Sequence, residues 1–341
     1  MTDYTVSHRG AGAQARAQNC TGAPMVLYLR ESDVARLLRM EDVIAAVEEA
    51  FRQQGRGQAV NRPRQRVETG RSMLHVMSAG LPSLGVMGFK AYTSAQHGTR
   101  FLAHLYSAES GELLAVIEAD RLGQMRTGAA SAVATKYMAR REAGSVGIIG
   151  TGWQARSQVV AVSRVRPVAL VKCFSRSPQR RESFAAEMVQ ELGAEVVAVD
   201  SGREAVEGTD IVITATNARE PVLRGEWLEP GMHVNAMGSN AASRRELDTE
   251  AMARAAVIAV DDLEQAKGEC GDLIGGVRNH AVSWDQVVEL GRIVVGEAAG
   301  RGRAEEVTLF ESQGIALEDV AAMKLVYDLA REQRVGETIR S

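Results

Sequence analysis

The sequence predicts an α/β fold that joins a doubly wound parallel sheet to a second domain of α+β type. A glycine turn, Gly150-x-Gly152-x-x-Ala155, lies between an apolar strand and a helix, and strands alternate with helices from there to about Val260. Before it, from Asn61 to Ala119, short strands separated by Gly, Pro and Ser indicate hairpins in an antiparallel or mixed sheet. With 341 residues, of which 45% are hydrophobic, two domains are expected.

The composition excludes several classes of partner. The 40 basic and 43 acidic residues leave a net charge of -3, which favours neither nucleic acid nor an anionic membrane surface. The segment Met1 to Pro24 lacks the apolar core of a signal peptide, and no run is long enough to span a membrane. We therefore expect a cytoplasmic protein with a small-molecule ligand, no nucleic-acid or membrane partner, and a flexible tail over residues 1–24.

The three cysteines predict neither disulfides nor a metal site. Cys20, Cys173 and Cys270 are odd in number, far apart and without CxxC spacing. We expect reduced thiols.

The periodicity of apolar residues predicts the main elements on both sides of the glycine turn. A strand at Val26–Leu29 precedes helices that begin near Ser32 and Met40, and a later helix is expected over 127–140. Strands are expected at 73–77, 86–92, 113–118, 146–149, 168–174 and 232–237, and a helix at 153–164. The last stretch, 284–334, is predicted to be mostly helical, with an apolar face from Gly314 to Ala330.

The glycine turn is the fingerprint of a Rossmann-type dinucleotide site. Gly150 permits the tight turn, Gly152 lets the backbone approach a pyrophosphate, and Ala155 lets the helix pack closely on the sheet. The alternative is an ordinary glycine turn, but the flanking strand and helix favour the nucleotide site. The residues expected to contact the cofactor are Thr127, Gly150, Thr151, Gly152, Trp153, Gln154, Ala155, Ser175, Arg176, Ala215, Thr216, Asn217, Met237, Gly238 and Ser239.

The second strand of this unit favours NADP(H), with NAD(H) as the alternative. It ends in Ser175-Arg176-Ser177, where NAD-specific enzymes commonly carry a carboxylate that binds the ribose 2′-hydroxyl. A hydroxyl and a guanidinium suit a 2′-phosphate instead. The alternative is that Arg176 is a solvated surface arginine.

The chain resembles the ornithine cyclodeaminase and mu-crystallin family from Val26 to Arg334. Besides the Gly150 turn, the resemblance rests on Phe89–Tyr92, Arg126–Lys136, Gly238–Asp248, Glu289–Gly291 and Thr308–Val320. It implies a discontinuous substrate-binding and dimerisation domain, residues 25–142 plus 312–341, with a Rossmann domain over 143–311 inserted in it. The expected assembly is a homodimer.

The resemblance also implies that basic residues hold a substrate carboxylate. They match Lys90, Arg126 and one arginine of Asn61–Arg66, where strand alternation puts Arg62, Arg64 and Arg66 on one face. Arg62 and Arg64 are the preferred candidates, since arginine can form two charge-assisted hydrogen bonds to a carboxylate. For Lys90, the alternative to carboxylate binding is a purely structural role. Arg126 is expected near the start of a helix, where a positive charge is electrostatically unfavourable unless an anion binds beside it. This favours a functional role for Arg126.

One departure from the family pattern concerns the chemistry. Asn240, which we expect to contact substrate, occupies the segment where ornithine cyclodeaminases carry an aspartate, and an amide cannot act as a general base. We therefore expect hydride transfer at the α-carbon of an imino or amino acid, as in the family's ketimine reductases and alanine dehydrogenases. The alternatives are a cyclodeaminase-type lyase that recycles NAD and a mu-crystallin-type binding protein. His75, Tyr92, His97 and Arg100 are expected to flank the pocket, where they allow a second acidic group on the substrate.

Overall fold

The computed structural model describes residues 25–95 and 98–340. The predicted tail, Cys20 and His97 lie outside the described residues. The elements that precede the glycine turn are β1 (Met25–Leu29), α1 (Glu31–Leu37), α2 (Met40–Gly55), β2 (Val60–Glu68), β3 (Ser72–Leu81), β4 (Val86–Ala95), β5 (Gly98–Ser107), β6 (Leu113–Glu118) and α3 (Asp120–Met138).

The second part of the chain alternates strands with helices. Its elements are β7 (Ser145–Ile149), α4 (Trp153–Ser163), β8 (Leu170–Phe174), α5 (Pro178–Leu192), β9 (Glu195–Ala198), α6 (Gly202–Val206), β10 (Ile211–Thr214), β11 (His233–Ala236), α7 (Thr249–Arg254), β12 (Ala255–Val260), α8 (Leu263–Glu269), α9 (Gly271–Arg278), β13 (Val287–Glu289), α10 (Leu290–Val294), β14 (Val307–Glu311), α11 (Ala316–Gln333) and β15 (Glu337–Arg340).

The first sheet is mixed and is built from both ends of the described chain. Its strand order is β15-β1-β6-β5-β4-β3-β2, in which β2 to β6 form an antiparallel meander and β1 runs parallel to β6. Helices α2, α3 and α11 pack together against it, around core residues such as Phe51, Leu105 and Ile117. The predicted mixed sheet is confirmed.

The second sheet is entirely parallel, with the order β13-β12-β14-β11-β10-β7-β8-β9. Along β10, Ile211 and Ile213 belong to one apolar cluster and Val212 to another, so this strand is buried on both faces. That arrangement is typical of a doubly wound sheet with helices on each side. The predicted fold class is therefore confirmed.

Strand β2 departs from simple alternation. Its pairing with β3 shifts register between Arg62 and Gln65, which marks a bulge around Pro63. Arg62 is consequently exposed, whereas Arg64 is buried. The expectation that Arg62, Arg64 and Arg66 share one face is wrong for Arg62, because the bulge changes the phase of the strand.

Helix α3 begins seven residues earlier than predicted, at Asp120 instead of about Thr127. The carboxylate of Glu31 accepts hydrogen bonds from the backbone N–H groups of Asp120, at 2.5 Å, and Arg121, at 3.0 Å. This distant residue supplies the cap that the local sequence lacks. Arg126 therefore lies inside the helix, and the argument that placed it beside a helix start does not apply.

The last stretch of chain is less helical than predicted. Between Trp284 and Arg334, β13 and β14 add two strands to the second sheet, and β14 is buried at every position. A short apolar run such as Val307–Glu311 does not distinguish a buried strand from a helix segment by periodicity. Within the described ranges, no helix has the length and apolar character needed to cross a membrane.

Candidate active site

A cavity of about 1100 Å³ lies where the chain leaves β7, β8 and β10. The carboxyl ends of these parallel strands meet at one edge of the second sheet, which is where doubly wound folds bind nucleotides. Helix α4 starts at this edge and directs its first backbone N–H groups towards the cavity wall, which suits a phosphate.

The turn between β7 and α4 needs its glycines. Gly150 has a φ of +108°, and a Cβ atom there would lie 2.3 Å from the carbonyl oxygen of Ala215. Gly152 is the N-cap of α4, and a Cβ atom on it would meet no atom within 4 Å. The first glycine permits the close approach of two chain segments, and the second leaves open space at the helix end. These residues fit a dinucleotide pyrophosphate.

Most residues predicted to contact the cofactor line this cavity, namely Gly150, Thr151, Gly152, Trp153, Gln154, Ser175, Arg176, Ala215, Thr216 and Asn217. Five do not. Thr127 and Met237 line a neighbouring cavity, Ala155 lies on the buried face of α4, and Gly238 and Ser239 are held by hydrogen bonds to Glu246 and Arg244.

The end of β8 presents hydroxyls and guanidiniums to the cavity. The Ser175 hydroxyl accepts a hydrogen bond of 2.9 Å from the Thr151 hydroxyl. Arg176 lines the cavity with Arg180 and Arg219, and all three are exposed. None of the three forms an ion pair with a carboxylate of the described chain. The sequence analysis did not single out Arg180 or Arg219. Arg219 follows β10 and reaches the cavity wall only because β10 and β8 both lie beside β7 in the second sheet.

A second cavity, of about 210 Å³, adjoins the first, and Gln154 lines both. It lies between the two sheets. The residues around it are Arg64, Met77, Lys90, Tyr92, Ser94, Thr99, Phe101, Arg126, Thr127, Gln154, Met237, Asn240, Ser312, Gln313 and Gly314. Four residues that were predicted to bind substrate, Arg64, Lys90, Arg126 and Asn240, are thus brought to one small cavity.

Lys90 and Arg126 share a carboxylate from α11. The Lys90 Nζ donates to Asp319 Oδ1 at 2.7 Å, and the Arg126 Nε donates to the same oxygen at 2.8 Å. The Arg126 Nη1 donates to Glu318 Oε2 at 2.8 Å. All four side chains are at least 92% buried. The cluster is therefore shielded from water, and its two cationic side chains are paired with its two carboxylates.

Burial and neighbouring charges shift the acid–base properties of this cluster. Burial, reinforced by the charges of Arg126 and Arg64, lowers the pKa of Lys90 to about 8, against the opposing effect of Asp319. Burial raises the pKa of Glu318 to about 7, although the Arg126 guanidinium opposes it. Both groups therefore titrate near neutral pH.

Arg64 connects the first sheet to the second half of the chain. Its guanidinium donates to Glu269 Oε2 at 2.8 Å and to the carbonyl oxygens of Gln313 and Gly314 at 2.9 and 3.0 Å. Its Nε also faces the Met77 sulfur. Most of its N–H groups are therefore engaged by the protein, in contrast to those of Arg126. Arg62 is exposed and does not line the cavity.

Asn240 lines the cavity beside Arg244, whose guanidinium donates to its amide oxygen at 2.8 Å. Of the residues expected to flank the pocket, Tyr92 lines it and stacks on His75 with 4.2 Å between ring centroids. Burial, with the charges of Arg66 and Arg64, lowers the pKa of His75 to about 4. A neutral His75 and an exposed Arg100 weaken the expectation of a second acidic group on the substrate.

The sequence reasoning missed three carboxylates, Glu269, Glu318 and Asp319. Two of them, Glu318 and Asp319, lie in the segment Thr308–Val320, which carries part of the family resemblance. The available signal was an adjacent Glu–Asp pair within the apolar run at the start of α11, because buried carboxylates need cationic partners.

Comparison with known proteins gives consistent matches over nearly the whole chain. Residues 25–334 match the profile of the Ornithine cyclodeaminase/mu-crystallin family. The chain is 40% identical, over 232 residues, to a Delta(1)-pyrroline-2-carboxylate reductase of Bacillus cereus, which covers 68% of this chain and 71% of the relative.

Two solved structures share the fold over their full length. One is the Thermococcus litoralis Delta(1)-pyrroline-2-carboxylate reductase in complex with NADH and L-proline, at 36% identity and a TM-score of 0.89, covering 92% of this chain and 100% of that one. The other is an archaeal alanine dehydrogenase dimer with bound NAD, at 34% identity and a TM-score of 0.87, covering 93% and 99%.

Proposed function

We propose that this chain, which belongs to the ornithine cyclodeaminase/mu-crystallin family, is an NAD(P)-dependent oxidoreductase. It reduces a small α-imino acid, or oxidises the matching L-amino acid, by hydride transfer at the α-carbon. The relatives named as reductases and as a dehydrogenase support this reaction class.

The observation that carries the proposal is the junction of the two cavities at Gln154. A dinucleotide in the larger cavity can extend to the smaller one, whose wall contains Lys90 and Arg126. Among the described residues, carboxylates engage only two of the five N–H groups of Arg126, so the rest can hold a substrate carboxylate. Arg64, most of whose N–H groups are occupied, adds positive charge to the smaller cavity and holds the cavity wall in place through its bonds to Glu269, Gln313 and Gly314.

Each polar residue then has a definite task. Bound nicotinamide supplies the carbon that gives or accepts the hydride. Arg126 orients the carboxylate. One oxygen of Asp319 accepts hydrogen bonds from both Arg126 and Lys90 and so fixes their relative positions. Lys90, whose pKa lies at about 8, exchanges a proton with the substrate nitrogen near neutral pH.

We infer that the reaction is not ornithine cyclodeamination. The amide of Asn240 lines the smaller cavity and its oxygen is engaged by Arg244, so it cannot take a proton from an amine. A lyase of this family would need only catalytic cofactor. Incubating the protein with ornithine and trace NAD, and measuring proline and ammonia, distinguishes the two reactions, and proline formation without net reduction would favour the lyase.

The test of the main proposal is a substrate screen that follows NAD(P)H absorbance at 340 nm. Cyclic imino acids, and α-keto acids with ammonia or methylamine, are offered in the reductive direction, and L-amino acids in the oxidative one. We expect stoichiometric consumption of free cofactor with at least one of them. Binding of cofactor without turnover of any substrate would favour a binding protein instead.

We propose NADP(H) as the preferred cofactor. Arg176, Arg180 and Arg219 line the same cavity as Ser175, and no carboxylate follows β8 where a 2′-hydroxyl would need one. The relatives solved with NADH or NAD make NAD(H) the alternative. A higher kcat/KM with NADH than with NADPH would contradict the preference.

We also propose a homodimer formed through the first sheet. Leu74, Met87 and Leu102 lie on the sheet face opposite α11 and stay 39%, 42% and 40% exposed in the described chain. Phe89 and His104 stack on the same face, 4.6 Å apart. An exposed apolar sheet face suits a second copy of the chain, and the archaeal alanine dehydrogenase was solved as a dimer. Met87→Glu should yield monomers by analytical ultracentrifugation, whereas Glu68→Gln, an exposed change on β2, should not.

The division into domains follows the same reasoning. We propose that residues 25–142 and 312–341 form the substrate-binding and dimerisation domain, and that 143–311 form the nucleotide-binding domain. The pairing of β15 with β1 and the packing of α11 on β2 to β5 support it.

A further inference from the structure

We propose that Glu318 takes up a proton when the substrate carboxylate binds, and so keeps the buried cluster neutral. This inference rests on the proposed function, because it needs a carboxylate beside Arg126.

The charges around Glu318 balance before substrate arrives. The groups that face it are Arg126 from α3, Lys90 from β4, its neighbour Asp319, and Asp261 at the end of β12. Lys90 and Arg126 match Glu318 and Asp319 in charge. A substrate carboxylate adds one negative charge to a space in which these side chains are at least 92% buried. A net buried charge is costly, so the cluster gains a proton instead.

The hydrogen bonds decide which carboxylate accepts the proton. Asp319 receives donors from both Lys90 and Arg126 on one oxygen, at 2.7 and 2.8 Å, and these favour its charged form. Glu318 has a single cationic partner on Oε2, and its buried Oε1, like the buried Oδ2 of Asp319, has no hydrogen-bond partner among the described residues. A proton can therefore be added to either carboxylate without breaking a contact, but protonation of Asp319 weakens two charged hydrogen bonds and protonation of Glu318 only one.

Asp261 is the other candidate and is less available. Its Oδ2 accepts from the backbone N–H groups of Gln313 and Gly314 at 2.8 and 2.6 Å. Burial, with the nearby charge of Glu318, holds the pKa of Asp261 well above its ordinary value, but its Oδ1 also accepts from the backbone N–H of Asp262 at 3.0 Å, so both of its oxygens are already engaged. Burial likewise raises the pKa of Glu318, but only to about 7, which leaves it able to gain a proton at neutral pH.

Calorimetry of the cofactor-loaded protein counts the protons. Pyrrole-2-carboxylate, a planar carboxylate of the size of a cyclic imino acid, is titrated at pH 7 in phosphate and in Tris, whose ionisation enthalpies differ. Because the pKa of Glu318 is raised to about 7, we expect the wild type to take up a measurable fraction of a proton per site, with a smaller contribution from Lys90. Above pH 7 the affinity should weaken by up to about tenfold per pH unit.

Glu318→Gln is the decisive variant, since it keeps the acceptor for Arg126 but cannot bind a proton. It should remove most of the proton uptake at pH 7 and flatten the pH dependence of the affinity between pH 6 and 7.5. Glu332→Gln, the same change at an exposed position of α11, should behave as the wild type.

The outcomes separate this inference from the proposed function. Binding of the carboxylate without proton uptake by the wild type, or unchanged uptake in Glu318→Gln, overturns the inference and leaves the site intact. Uptake that is lost in Lys90→Met but kept in Glu318→Gln assigns the proton to Lys90 and also overturns it. No binding of any carboxylate overturns the site assignment itself, and this inference with it.

Discussion

Replacing Arg126 by methionine tests the buried cluster most directly, because this arginine has two separable tasks. It is expected to hold the substrate carboxylate, and it neutralises Glu318 and Asp319 at 2.8 Å each. Methionine has a similar length and no charge. The variant therefore removes a ligand for substrate and also leaves a buried carboxylate without its cation.

The two losses have different sizes. Loss of a charged hydrogen-bond partner for the substrate carboxylate should cost about 3 kcal/mol in the transition state, or on the order of a hundredfold in kcat/KM. Loss of the buried ion pair should lower the free energy of unfolding by about 3 kcal/mol, partly relieved by Lys90, which still pairs with Asp319. The corresponding fall in Tm is about 6 to 12 °C.

A second substitution separates the two effects. In Arg126→Met with Glu318→Gln, the unpaired carboxylate is gone, so about half of the lost stability should return. The kcat/KM should stay low. Arg164→Met, which removes a half-exposed pair with Glu41, should change the Tm by little and the activity not at all.

Steady-state kinetics by NAD(P)H absorbance and thermal unfolding by circular dichroism supply both measurements. Recovery of kcat/KM together with Tm in the double variant would refute the reasoning, since Arg126 would then act only through stability. Full activity in the single variant would move substrate binding elsewhere.

Three further predictions concern the cofactor and the proton. Gly152→Asp should abolish nucleotide binding by calorimetry while the circular dichroism spectrum is kept, because a carboxylate would repel the pyrophosphate; unchanged affinity would contradict the nucleotide site. Ser175→Asp with Arg176→Ala should reverse or flatten the preference for NADPH over NADH, measured as a ratio of kcat/KM, and an unaltered ratio would argue against this turn. Lys90→Ala should lower kcat/KM by on the order of a hundredfold with cofactor binding intact. Since Lys90 is charged below its pKa of about 8, reductive kcat/KM of Glu318→Gln should fall as pH rises through that value and lose this decline when Lys90→Arg is added; a decline that persists would assign it to another group.

The nucleotide-binding part of the fold was predictable because its signals are local. The tight turn at Gly150 and the helix start at Gly152 lie within a few residues of each other, between a strand and a helix that both show in the sequence. The family resemblance drawn from separate motifs is confirmed by the match over residues 25–334. The roles assigned to Lys90, Arg126 and Asn240 stay predictions.

The failures have a common physical origin in long-range contacts. The start of α3 is capped by Glu31, 89 residues upstream, so no local pattern marks it. The carboxylates that pair with Arg126 lie more than 190 residues further along the chain. The bulge around Pro63 in β2 depends on how β2 pairs with β3, and the alternation of side chains along β2 does not specify that pairing.

The construction of the first sheet from both chain ends also determines when the protein can become active during synthesis. Strands β1 to β6 leave the ribosome early, but β15 and the carboxylates of α11 follow about two hundred residues later. Until then, Lys90 and Arg126 lack their counter-ions and the sheet lacks the helix that covers it. While the parallel sheet forms, the first sheet of the nascent chain therefore lacks β15, and the charges of Lys90 and Arg126 are not yet compensated. A chain that stops before α11 lacks the carboxylates that neutralise Lys90 and Arg126, and it leaves apolar sheet surface uncovered, which favours aggregation.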